Sequence, residues 1–133
     1  MCVLIDRRPA EVFWFLSEPE HLALWQRGIQ SARRTSDGPM GVGATFEQTV
    51  WRDGRVDVHT SEVLAYEPTH QLAWLSELDD ELVVTRLRLE AVDGRTLVSL
   101  RRQVVTAGVA EDAPADELRA QLLRLRDVVE GRD

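Results

Sequence analysis

Tryptophan and histidine are the residues of this chain best suited to handling a ligand. Trp74 lies in QLAWLSEL and shares a face with Leu72 and Ser76 if the run is a strand. An indole inside an apolar cavity offers a broad surface and one N–H donor for a ligand carbonyl. Trp51 and Trp25 are further candidates for ligand contact, Trp25 at a helix-to-strand junction where it would form a rim or seal the core. Trp14 falls in a dense apolar segment and is expected in the core. His59 is a general-base candidate if it faces a pocket. A solvent-facing strand position is the plainer expectation for it, and His21 and His70 are expected at the surface. No i,i+4 or His-x-His spacing connects the histidines, so neither a metal nor a cofactor site is implied. Glu47 and Glu62 would form a catalytic pair only if buried, and Asp79, Asp80 and Glu81 look like a solvated turn. Gly38, Gly41 and Gly43 lack the lysine and the following helix of a phosphate loop and mark turns.

The element that must position these groups is the last run, DAPADELRAQLLRLRDVVEG. Leu118, Leu122, Leu125 and Val129 recur at helical spacing and form one apolar stripe. Pro114 is expected in the first turn behind Asp112 or Ala113 as cap, and Gly131 at the left-handed C′ position. A stripe of this kind needs an upstream surface to bury it. Upstream, Val3–Ile5 predicts a strand, PAEVFWFL a short helix, and SEPEHLALW a second helix from Pro19 with Ser17 as cap. From Ile29 the period becomes two. Strands are expected over Ile29–Thr35, Ala44–Arg52, Arg55–Tyr66, Gln71–Glu77, Leu82–Val92 and Arg95–Val105. Asp53-Gly54 and Asp93-Gly94 are hairpin turns, and 107–112 is expected as a loop. The order predicts an α+β fold with an antiparallel sheet of about seven strands. Leu87 and Leu89, and Val98 and Leu100, should face the closing helix together with Leu72, Trp74 and Ser76. On the hairpin 44–66, Val63 inward brings His59 and Ser61 inward. Either Thr45, Glu47, Thr49 and Trp51, or Phe46, Gln48 and Val50, then face the cavity.

At 133 residues with no linker or repeat, one domain over 1–133 is expected. The net charge of −7, with every basic residue an arginine, excludes phosphate-backbone binding as a leading idea. No apolar run spans a membrane and the start lacks signal-peptide character, so a cytoplasmic protein is expected, as monomer or homodimer. Cys2 alone forms no internal disulfide.

RRPAEVFWFLSEPEHLALWQRG, GPMGVGATF, SEVLAYEPTHQLAW and DGRTLVSL together resemble the START-like helix-grip (SRPBCC) superfamily, in particular its polyketide cyclase/dehydrase-type branch. The pattern is carried by Pro9, Val12, Phe13, Phe15, Leu16, Pro19 and Trp25 at the first helices. It continues through Val63, Glu67, Pro68, Leu72 and Trp74, and Gly94 and Thr96. Glu18 and Thr69 depart from it. The resemblance implies a curved sheet gripping the C-terminal helix around an apolar pocket. Alternation, the helix stripe and the tryptophans supply the candidates for its lining: Trp74, Leu72, Ser76, Trp51, Trp25, Leu87, Leu89, Val98, Leu100, Leu118, Leu122 and Leu125. The resemblance also implies that an inward arginine orients a ketone chain in cyclase members. Arg102 shares parity with Val98 and Leu100 and is that candidate, whereas Arg86 and Arg88 point outward. Three functions follow as expectations: binding of a hydrophobic lipid- or polyketide-like molecule, an aromatase/cyclase-type reaction in the same cavity, or a groove for a partner protein.

Overall fold

Two Asp-Gly turns set the register of the sheet. Asp53 and Gly54 have φ 50° and 77°, and Asp93 and Gly94 have φ 50° and 78°. Two consecutive left-handed residues match the twist of the flanking strands. The pairing that results puts Arg52 opposite Arg55 and Val92 opposite Arg95. The computed structural model describes residues 1–78 and 80–131, so Asp79 of the expected acidic turn lies outside the described residues.

The strands are β1 (Cys2–Ile5), β2 (Ile29–Arg34), β3 (Thr45–Arg52), β4 (Arg55–Glu67), β5 (Gln71–Leu78), β6 (Glu81–Val92), β7 (Arg95–Thr106) and β8 (Val109–Asp112). They form one antiparallel sheet in the order β1-β7-β6-β5-β4-β3-β2, and β8 also pairs with β7. The curved sheet carries α1 (Pro9–Leu16), α2 (Leu22–Trp25) and α3 (Ala115–Val129) on one side. Leu118, Leu122 and Leu125 of α3 are buried in a single cluster with Leu87, Leu89, Val98 and Leu100. This is the helix-grip arrangement. Among the described residues no helix is long and apolar enough to cross a membrane.

Several local expectations are corrected. Residues 109–112 are strand β8 rather than loop. A tight turn at Ala107 and Gly108, φ 51° and 81°, folds them back on β7. All four β8 residues are exposed, so alternation had no buried face to mark. The second helix is a 3-10 turn (Pro19–His21) followed by the single turn α2. Ser17 does not cap it, because its hydroxyl donates to Phe13 O at 2.8 Å and closes α1 instead. Pro114 lies one residue outside α3, which starts at Ala115, whereas Gly131 has the expected left-handed φ of 75°. Glu81 opens β6 rather than sitting in a turn. Trp14 is 55% exposed, because an eight-residue α1 buries only the Val12, Phe13 and Leu16 face. His21 is only partly exposed: it stacks on Phe15 at 4.3 Å, and its Nδ1 lies 2.8 Å from Phe15 O.

Candidate functional site

Cross-strand rows divide the concave face of the sheet in two. One row runs Tyr66, Leu72, Leu87, Leu100 across β4 to β7 and is apolar. The next runs Val63, Trp74, Thr85, Arg102, and the one beyond it Phe46, Ser61, Ser76, Val83, Val104. Gln48 and His59 face each other one step further out. Polarity therefore rises along the strand axis, from the end covered by α3 and α1 toward an open end.

The apolar end is filled. Between Leu16, Leu22, Met40, Phe46, Val63 and Trp74 only about 10 Å3 is empty, hardly the room of one water. Met40, from the glycine-rich turn, helps to close it. The free space lies at the polar end, a hollow of about 240 Å3 whose walls include Trp74, His59, Gln48, Ser76, Thr85 and Arg102. Ile29, Val50, Leu78, Val83 and Val104 supply its apolar surface. The expected oily cavity under the leucines of α3 is thus a packed core, and the hollow on the concave face is amphipathic.

Hydrogen bonds fix its polar wall. Gln48 Nε2 donates to Ser61 Oγ at 3.3 Å, and Ser61 Oγ lies 2.7 Å from Ser76 Oγ. Arg102 Nε donates to Thr85 Oγ1 at 3.3 Å, and Nη1 to Gln121 Oε1 of α3 at 2.9 Å. Its remaining nitrogen, Nη2, is buried with no partner. Burial pushes the Arg102 guanidinium below its ordinary value, and the charge of Glu117 opposes that. An arginine nevertheless keeps its proton. A pinned guanidinium with one free donor is arranged to take an oxygen acceptor. Of the other buried donors without a hydrogen-bond partner, Trp25 Nε1 and Gln26 Nε2 belong to residues next to this wall. Trp25 and Gln26 line a groove of about 630 Å3 between α2 and α3, whose rim carries Arg27, Asp116, Glu117 and Arg124. Gln26 and Arg27 also border the hollow, so the two spaces share a wall.

The sequence-derived candidates separate accordingly. Trp74, Ser76, His59 and Arg102 come together around the hollow. Trp25 lines the adjoining groove, and Leu72 the small gap behind Trp74. Leu87, Leu89, Val98, Leu122 and Leu125 belong to the packed cluster, as do Leu100 and Leu118, which also border a notch at the sheet edge. Trp51 does not reach the hollow. It lies opposite Val56, with both exposed on the outer face of the β3–β4 hairpin. Of the two parities left open for β3, the structure has Phe46, Gln48 and Val50 inward. His59 is inward with them and only 8% exposed, so the surface expectation for it is corrected. Glu47 points outward and pairs with Arg33 at 2.8 Å, and Glu62 is exposed, so they are no catalytic pair. The sequence reading missed Gln121, Thr85 and Gln26. Thr85 was within reach by parity, two positions before Leu87. Gln121 sits just before Leu122 and is buried at the edge of the apolar stripe. Among the described residues no three His, Cys, Asp or Glu side chains converge as a metal ion would need.

Residues 2–130 match the profile of a family described as polyketide cyclase / dehydrase and lipid transport. The chain belongs to that family. A comparison with curated proteins finds no match. Solved structures share the fold at low identity. Zhui, an aromatase/cyclase from Streptomyces sp. R1128, is 15% identical with a TM-score of 0.75, over 99% of this chain and 92% of that one. A START superfamily protein from Mycobacterium smegmatis is also 15% identical, with a TM-score of 0.73, over 100% of this chain and 97% of that one. Membership of the polyketide cyclase family and a START-like fold support, in general terms, binding of a ligand or a cyclase-type activity.

Proposed function

We propose that this member of the polyketide cyclase family binds a small aromatic or polyketide-like molecule in the hollow at the polar end of the sheet. The ligand has an apolar body that lies against Trp74 and an oxygen acceptor that takes Arg102 Nη2. The observation that carries this reading is Arg102 on the wall of the hollow, in the same cross-strand row as Trp74, with Nε and Nη1 held by Thr85 and Gln121 and Nη2 buried without a partner. A volume of about 240 Å3 lies below the usual range for drug-sized ligands, so it encloses one or two rings and not a lipid chain. A longer molecule would extend past Gln26 into the groove beside α3.

2-Naphthoate, with two rings and one carboxylate, tests this reading. It is expected to quench tryptophan emission saturably and to bind about tenfold more tightly than naphthalene, the difference made by one charge-assisted hydrogen bond. Trp74→Phe should keep the protein folded, at a lower melting temperature, and remove most of the quenching. Native mass spectrometry of the protein from its own source should show a retained small molecule. Equal binding of the two probes, or quenching that survives in Trp74→Phe, would remove these residues from the site.

The presence of His59 on the same hollow favours a second reading, an aromatase/cyclase-type step. A neutral imidazole takes a proton from the carbon beside a ketone, and Arg102 holds the enolate oxygen that forms. Wild-type protein would then accelerate exchange of the α-protons of 1-tetralone with D2O, and His59→Gln would not. No acceleration would sink the enzymatic reading and leave the binding one intact. The third function, a groove for a partner protein, has exposed apolar residues such as Trp51, Val56 and Val58 in its favour.

A further inference from the structure

A second positive site lies outside the hollow, at the outer edge of β7. β1 pairs with Thr96 to Ser99 and β8 with Gln103 to Thr106, which leaves residues 100–102 flanked by strand ends. Met1 O accepts from Leu100 N–H and Arg102 O from Ala113 N–H, each at 2.8 Å, and these bonds close the two sides of the gap. The gap opens as a notch of about 540 Å3 with Leu100 and Leu118 among its apolar lining. Four arginines line it, Arg86, Arg88, Arg101 and Arg102, against a single carboxylate, Asp112.

This clustering is local, since the chain as a whole carries −7. It also works against folding. Arg86 lies directly opposite Arg101 in the β6–β7 register, and Arg88 is two residues along on the same face. Like charges directly opposite each other destabilise an antiparallel pair. The fold does little to offset this. Asp112 meets Arg101 Nε at 3.4 Å, but both side chains are more than half exposed, and such a pair contributes little. Arg86 donates only to the neutral amide oxygen of Gln71, at 3.3 Å. Among the described residues the Arg88 side chain makes no hydrogen bond or ion pair, although Glu67 and Glu90 line a neighbouring pocket with it. Guanidinium forks with free N–H groups match the paired oxygens of a phosphate, each by two parallel bonds.

We propose that the notch binds a multiply charged oxyanion, either inorganic phosphate or the phosphate group of an organic ester, through Arg86, Arg88 and Arg101. Arg102 borders both notch and hollow, so the two sites are neighbours separated by one side chain.

Isothermal titration at low ionic strength with inorganic pyrophosphate and with adenosine 5′-diphosphate tests this, with 2-naphthoate titrated in parallel. One saturable site with a dissociation constant below about 1 mM is expected, weakening steeply with added salt. Arg88→Gln and Arg101→Gln should each weaken pyrophosphate binding by about tenfold, and the Arg86→Gln, Arg88→Gln double variant should abolish it. Naphthoate binding should not change in any of them. Because the substitutions relieve repulsion, the melting temperature of the unliganded variants should hold or rise. Uptake of pyrophosphate alone assigns the notch to a free inorganic anion, and uptake of both probes assigns it to a phosphate ester. No saturable binding, or equal binding by the double variant, would overturn the proposal.

Discussion

Arg102 makes its own prediction because its stability and binding roles pull in opposite directions. Removing the guanidinium relieves the cost of burying a charge, which offsets the loss of its hydrogen bonds to Thr85 and Gln121. Arg102→Met should therefore hold or raise the urea midpoint, while affinity for 2-naphthoate falls about tenfold. A loss of more than about 2 kcal/mol of stability would instead make Arg102 a structural residue. At this scale the site was half legible. Strand parity assigned Trp74, Ser76 and Arg102 to one face, and the same rule reaches Thr85. It left β3 undecided, since two registers put equally plausible side chains inside and only the paired strand chooses between them. Gln121 was invisible for another reason. It is the fold that brings its Oε1 within 2.9 Å of Arg102 Nη1, and no spacing in the sequence records that contact.

Elements were easier to read where a turn or a stripe imposed them. Both Asp-Gly hairpins and the α3 stripe follow from local rules, and all three appear. Gly94 tests the rule behind the hairpins. A Cβ added there would meet nothing within 4 Å, so any cost of Gly94→Ala comes from its φ of 78° alone. About 1 kcal/mol of destabilisation is expected in chemical denaturation, and a neutral result would mean that the turn relaxes at no cost. The elements that were missed lacked such rules. β8 has no buried face, and the second helix shortens to a 3-10 turn and the single turn α2, while α1, present as expected, is too short to bury every aromatic residue it carries. Trp14 and Trp51 show the same limit: an indole in sequence looks like core or site until the element beneath it fixes the direction of its side chain.

The division of the sheet into a packed end and an open end predicts that stability and binding separate in the whole molecule. Leu125→Ala should cost about 3 kcal/mol, with naphthoate binding unchanged in the folded protein. Ser76→Ala should lower naphthoate affinity with little loss of stability. The double variant should show both effects as a sum, and coupling above about 0.5 kcal/mol would mean that the two ends are not independent. The four tryptophans carry a further consequence, since Trp14 and Trp51 are each 55% exposed while Trp25 and Trp74 are 2% and 3% exposed. Intrinsic emission should be a sum of two red, water-facing fluorophores and two blue, dry ones. Acrylamide should strip the red half first and leave a narrower spectrum, on which occupancy beside Trp74 can be followed without labelling the protein.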